Sequence, residues 1–242
     1  MKEDVQHYFL IPVFNEEANI ALLAEDLSRY ADDLSPFLVF IDDASSDGTC
    51  TEISRLFPSE RCQILRKEQR AGAGDSFNRG FLFLQSRLRS QDVVVMMEGD
   101  GTSDLSILKA LLKTLKSGAD VALASVYAEG GGFDQTTWLR KSISACANVL
   151  MRWRFGIQAR TVSSFYRALK GKLVLHLMER YNPLIAEKGY TSMIELLIKA
   201  GRCEAIILEV PMQLHSKRRK GKSKMRIIPV AFDYLKLLLK RY

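Results

Sequence analysis

The chain has 242 residues, 47% of them apolar, and a net charge of +7. That is enough apolar material for one sizeable core, and no apolar stretch approaches the roughly 20 residues of a membrane span, so a helical membrane bundle is excluded. Cys50, Cys62, Cys146 and Cys203 are scattered, as are His7, His176 and His215, which argues against a zinc site, a disulfide framework and a histidine-based triad.

Residues 7–14 predict a first buried strand, and Asn15, Glu16 and Glu17 open an amphipathic helix to about Tyr30, with acids in the first turn as the macrodipole favours. Residues 37–41 predict a second strand ending in Asp42 and Asp43, and Asp47 or Ser46 is placed to cap the next helix. Residues 61–66 predict a third strand. Gly72 and Gly74 mark a glycine-rich turn feeding a helix to about Arg89. The run from Val93 to Met97 is too short for a membrane span and β-branched enough for a buried central strand. A helix over 105–116 and a strand over 119–126 follow. This alternation predicts an α/β fold, a doubly wound and mainly parallel sheet flanked by helices, with right-handed crossovers. Beyond it, Gly130, Gly131 and Gly132 read as a flexible joint. Helices are expected over 136–155, 171–180 and 189–200, and a last strand over 203–210. Residues 228–242 read as an amphipathic helix with Phe232, Leu235, Leu238 and Leu239 on one face.

Two stretches carry chemistry. The central strand stops at Glu98-Gly99-Asp100-Gly101, and in extended backbone the side chains of Glu98 and Asp100 point the same way. A carboxylate pair at the carboxyl end of a central parallel strand lies where open α/β sheets place ligands, and one or two carboxylates plus phosphate oxygens suffice for Mg²⁺. The alternative is an acidic turn capping the helix that starts near Asp104. Residues 217–226 hold seven basic side chains and no acid. Such a run can bind nucleic acid, anionic lipid or a nucleotide's phosphates, or simply be solvated. Without interleaved aromatics to stack on bases, no nucleic-acid partner is expected.

Taken together these stretches resemble glycosyltransferase family 2 in its GT-A, nucleotide-diphospho-sugar transferase fold, nearest its dolichol-phosphate mannosyltransferase-like branch. The stretches are I-P-V-F-N-E at 11–16, I-D-D-A-S-S-D-G-T at 41–49, R-A-G-A-G-D-S-F-N-R-G at 70–80 and E-G-D-G-T-S-D at 98–104. E-G-G-G at 129–132, W-L-R-K-S-I-S-A-C-A-N at 138–148, S-S-F-Y-R-A at 163–168 and E-V-P at 209–211 complete the set. The resemblance implies a GT-A domain over 1–226, with a nucleotide-sugar-binding half at 1–127 and an acceptor-binding half at 128–226, followed by the helix at 227–242. It implies that Pro12, Phe14 and Glu16 lie near base and ribose, with Asp42 and Asp43 accepting hydrogen bonds from them. Gly72, Gly74 and Gly99 let the backbone approach the nucleotide. Glu98 and Asp100, with Thr102, would hold Mg²⁺ or Mn²⁺ on the diphosphate. Arg218 and Lys224 would close over that diphosphate, and Arg140 and Ser144 would reach an acceptor phosphate beside the catalytic Asp100.

A sugar hydroxyl acceptor needs a general base. Family members using such acceptors take it from a later acidic motif, and none is evident after Ser163. A lipid monophosphate is already an anion and needs only positioning. The expected reaction is therefore inverting transfer of a hexose from a GDP- or UDP-linked sugar to polyprenyl phosphate. Transfer to a saccharide or other hydroxyl is the alternative within the family, and a non-catalytic anionic-lipid- or nucleic-acid-binding module the alternative outside it. Glu98 in place of the first Asp of the family's D-x-D, Val126 in place of an Arg, and Thr161 with Ser163, Ser164 and Phe165 in place of D-x-T-S-G leave the donor's sugar and base open. The first residues lack the pattern of a secretory leader. A cytoplasmic protein, peripheral on the cytosolic face of a membrane, is expected, with room for a membrane-anchoring partner.

Overall fold

The structure is a computed structural model describing residues 5–134, 138–221 and 227–240, the side chains of 139, 140 and 227–229 excepted. Its strands are β1 (His7–Val13), β2 (Phe37–Asp42), β3 (Cys62–Arg66), β4 (Val93–Met96), β5 (Val121–Ser125), β6 (Gly132–Phe133), β7 (Arg167–Lys170), β8 (Ile207–Pro211) and β9 (Gln213–Leu214). Its helices are α1 (Glu17–Ala31), α2 (Thr49–Leu56), α3 (Ala73–Leu84), α4 (Leu108–Lys116), α5 (Trp138–Phe155), α6 (Gly171–Arg180), α7 (Thr191–Arg202) and α8 (Ile227–Leu239).

Strands covered on both faces read as unbroken apolar runs, and β4 shows why. Val94 and Met96 point into one core with α3, α6 and α7, whereas Val95 and Met97 point into a second core with α1 and α4. The sheet order is β3-β2-β1-β4-β7-β5-β8. Every neighbouring pair is parallel except those made by β7, which runs antiparallel to both β4 and β5.

That insertion corrects the expected uninterrupted β-α-β series, in which 119–126 would sit beside the central strand. The segment is only four residues long and opens on a charge, so its sequence does not read as a buried strand. Arg167 is nevertheless fully buried, its guanidinium served by the carbonyls of Ser164 and Met193. Burial alone pulls its pKa down to about 9. The last strand also starts later than expected, because α7 runs on to Arg202 and residues 203–206 form its closing turn. The glycines at 130–132 do not hang free: Gly132 and Phe133 pair with Gln213 and Leu214 in a second, two-stranded sheet.

Val13 lies opposite Asp42 and Leu10 opposite Met96, so β1, β2 and β4 end along one edge. Their loops deliver residues 14–16, 43–47 and 98–102 to one place. On the far side of β4, α5 and α8 lie against each other. Arg154 near the end of α5 donates to the carbonyls of Leu238 (3.1 Å) and Lys240 (3.2 Å) at the end of α8, the favoured position for a cation on a helix. The single apolar face expected for α8 is thereby divided. Leu237 is fully buried and Leu238 half-buried, while Phe232, Leu235 and Leu239 are exposed.

Candidate active site

The loop that carries Glu98 and Asp100 begins where β4 ends. Asp100 is held by its own turn: one carboxylate oxygen accepts from the Thr102 N–H (3.0 Å) and the Thr102 hydroxyl (2.6 Å). Thr102 thus orients Asp100, its hydroxyl proton going to that bond while its oxygen keeps its lone pairs. The other Asp100 oxygen takes the Arg219 guanidinium. Glu98 lies beside this pair; loss of water around its carboxyl, and then Asp100, push its pKa up to about 8, against the pull of Arg219. Gly99 backs onto β1, where a Cβ would meet Val13 at 2.6 Å.

Among the described residues no three or more His, Cys, Asp or Glu side chains converge on a metal position. Two hard carboxylates, Glu98 giving up its proton as the ion binds, would suit a divalent cation whose remaining ligands come from phosphate and water. Two carboxylates leave most of an octahedral shell open, which suits an ion that arrives with a diphosphate.

The second carboxylate pair is built differently. Asp42 is fully buried, accepts from the Ser45 N–H (3.1 Å) and faces Arg66 (3.5 Å). Asp43 accepts from the N–H groups of Ala71 (2.8 Å) and Gly72 (2.9 Å), and from Lys67 at 2.6 Å. Lys67 is itself buried, and bridges on to Asp75 (2.7 Å) and Ser76 (3.2 Å). The glycine turn is therefore fastened to the end of β2. Its glycines also meet protein: a Cβ on Gly72, whose φ is +93°, would lie 2.6 Å from the Lys188 carbonyl, and one on Gly74 1.9 Å from that of Glu187. Above the turn, Arg70 packs over the Phe14 ring at 4.0 Å. Pro12 stands in β1 opposite Ile41.

Glu16 accepts from Asn19 (2.6 Å), which in turn clasps the backbone of Lys220 through both its amide atoms (2.8 and 3.1 Å). The basic run is thus tied down on α1. Arg218 turns away from the carboxylates at the end of β4 and pairs with Asp26 (2.8 Å); Arg219, not singled out from the sequence, reaches Asp100. The placement of Arg218 over a diphosphate is corrected accordingly. Lys224 and the side chain of Arg140 lie outside the described residues.

The sequence model of a family described as Glycosyl transferase family 2 matches residues 8–175. The chain belongs to that family. It is a glycosyltransferase that shares its fold with glucosyl-3-phosphoglycerate synthase from Mycobacterium tuberculosis, at a TM-score of 0.71 and 18% identity over 98% of this chain and 80% of that one. By sequence it is 28% identical over 220 residues to the polyprenol monophosphomannose synthase of Mycolicibacterium smegmatis, covering 89% of this chain and 79% of the relative. It is 28% identical over 232 residues to the dolichol-phosphate mannosyltransferase of Pyrococcus furiosus, covering 94% of this chain and 61% of the relative.

The glycosyltransferase also contains a cavity of about 650 Å³ that no sequence pattern announced. It starts at Glu98 and Arg219 and continues between α5 and α8. Ser144 lines it, on the same helical stripe as Ala147 and Leu150. Tyr190 stands at the junction, packed edge-on against Phe165 at 5.3 Å, its hydroxyl pKa raised by burial and by Glu98. Among the described residues that line the cavity, Glu98 is the sole carboxylate and Arg219 the sole cation.

Proposed function

We propose that this glycosyltransferase moves a hexose from a GDP- or UDP-linked donor to a polyprenyl phosphate, with inversion, at a membrane surface. One observation carries the reading: an apolar cavity opens onto Glu98 of the carboxylate pair and, among the described residues that line it, holds no other carboxylate. A hydroxyl acceptor would require a general base there. A phosphate monoester needs none, and an isoprenoid chain fits walls made by Ile143, Leu150, Val230, Leu235 and Leu238. The names of the relatives, which specify polyprenol, dolichol and undecaprenyl phosphate or their mannosyl products, support the same acceptor class.

In this reading Glu98 and Asp100 hold Mg²⁺ or Mn²⁺, which when bound neutralises charge on the departing nucleoside diphosphate. Solved relatives by fold crystallised with Mn²⁺ and UDP support this choice. Asp43, Lys67 and the glycine turn shape the donor site beneath Phe14 and Arg70. Arg219 lies between the carboxylate pair and the cavity, placed to balance an acceptor phosphate approaching the anomeric carbon. Ser144 contributes from the other wall.

The membrane assignment rests on α5 as well as α8. Trp138 and Trp153 are 77% and 81% exposed, with Val149 between them, and Leu239 on α8 is 85% exposed. Amphipathic rings at the ends of an apolar stripe suit the headgroup level of a bilayer, and lysines and arginines nearby add attraction to anionic lipid. No described helix is long and apolar enough to cross a membrane. The deciding experiment offers GDP- and UDP-sugars with Mn²⁺ and polyprenyl phosphate in anionic vesicles, and reads the acid-labile glycosyl phospholipid. Turnover confined to free sugars or proteins would refute the acceptor class.

A further inference from the structure

The glycine turn is held from a direction that its own stretch of sequence does not contain. Besides Asp43, its support is the 183–190 loop: Gly74 donates its N–H to the Lys188 carbonyl (2.8 Å), and the loop backbone fills the space that side chains at 72 and 74 would need. That loop is gripped in turn by two charges on α7. Glu195 and Lys199 are 1% and 6% exposed and one helical turn apart, with 2.7 Å between them. The second Glu195 oxygen accepts from the N–H groups of Ala186 (2.9 Å) and Glu187 (2.8 Å). The Lys199 ammonium donates to the carbonyls of Leu184 (2.8 Å) and Pro183 (3.3 Å).

As a source of stability such a pair is a poor choice. Desolvating two charges offsets their attraction, and well-packed apolar side chains serve a core equally well. What apolar side chains cannot do is clasp four backbone groups of one loop at fixed positions. The loop so clasped reaches Gly72 and Gly74 through Glu187 and Lys188, and delivers Tyr190 beside Glu98 and Arg219.

We propose that Glu195 and Lys199 are positioning residues for donor binding, acting through the 183–190 loop on the glycine turn. This rests on the reading above that a nucleoside diphosphate binds at that turn. The pair touches no substrate, so its loss acts through the loop: foremost on donor affinity, through the direct contacts at Gly72 and Gly74, and less on the acceptor side, where the loop supplies only Tyr190.

The test is Glu195→Leu/Lys199→Met in the full chain, which removes both charges together and leaves neither buried alone. The melting temperature is expected to fall by a few degrees, since four loop backbone groups lose their partners, while affinity for GDP or UDP with Mn²⁺, read by calorimetry well below it, falls roughly tenfold or more, the scale of a small misplacement of a binding element. Donor KM should rise in parallel, and by more than the KM for polyprenyl phosphate. A purely structural pair predicts the same fall in melting temperature with nucleotide affinity unchanged, and that result would overturn the inference while sparing the donor site. The same coupling is read in the unsubstituted protein by hydrogen exchange: the amides of Gly74, Ala186 and Glu187 should slow together when nucleotide is added. A response confined to residues 71 and 72 would count against the proposal. If the unsubstituted chain binds neither GDP nor UDP, the donor-site reading fails and takes this inference with it.

Discussion

The two sides of β4 are built on opposite principles. On the side of β1, β2 and the glycine turn, nearly every carboxylate has a fixed partner: Asp43 has Lys67 and two N–H groups, Asp42 has Ser45, and Glu16 has Asn19. On the side of α5 and α8, the walls are apolar, the space is about 650 Å³, and large side chains such as Trp153 stand in the open. A preorganised polar site holds a small, charged, stereochemically defined ligand, because its dipoles need not rearrange when the ligand arrives. An open apolar trough suits a long chain recognised by surface alone. The contrast agrees with the proposed division, a nucleotide on one side and a lipid on the other.

The largest effect should come from breaking the carboxylate pair between the two regions. Asp100→Ala is expected to cut transfer by roughly 10³-fold, the scale of losing several kcal/mol of charge stabilisation, with the melting temperature nearly unchanged because the site is a crevice. Glu98→Asp should retain transfer. Full turnover by Asp100→Ala in EDTA would remove the metal from the scheme. Next comes Ala147→Trp, which fills the cavity from the α5 wall. KM for polyprenyl phosphate should rise by roughly 10²-fold, the cost of losing one to two buried apolar groups, while GDP or UDP affinity stays the same. Equal losses on both sides would dissolve the division drawn here.

Smaller effects are expected at the membrane face. Trp138→Ala and Trp153→Ala should each weaken binding to anionic vesicles about tenfold, as sedimentation would read, in line with burying one large apolar side chain. Vesicle binding that survives both, but not deletion of 227–242, would assign the surface to α8 alone. The smallest effect is a pH slope. Glu98 keeps its proton up to about pH 8 in the folded chain but loses it near 4.5 when unfolded. The folded state thus binds the extra proton between those values, and metal-free stability should fall as pH rises through that window. Glu98→Gln should abolish this contribution, measured as melting temperature against pH in EDTA.

Much of the donor side was legible because its signals are local. A β-branched run followed by alternate carboxylates between glycines reads as a strand end with a site, since strand periodicity and turn chemistry act over a few residues. The family pattern and the helices α1 to α4 followed from the same short-range rules. What tertiary structure decided is long-range. Nothing near Asp100 points to Arg219, 119 residues away; Arg218 and Arg219 are neighbours in a turn, so their side chains diverge, and only the anchors at Asp26 and Asn19 settle which one faces the carboxylates. Strand β7 exists because β4 and β5 leave a slot whose backbone groups need partners, and that requirement overrides the cost of burying Arg167. The cavity, likewise, belongs to no segment. It is the space left when α5 and α8 pack end to end on Arg154 without closing along their length, a matter of shape that a pattern of apolar residues cannot encode by itself.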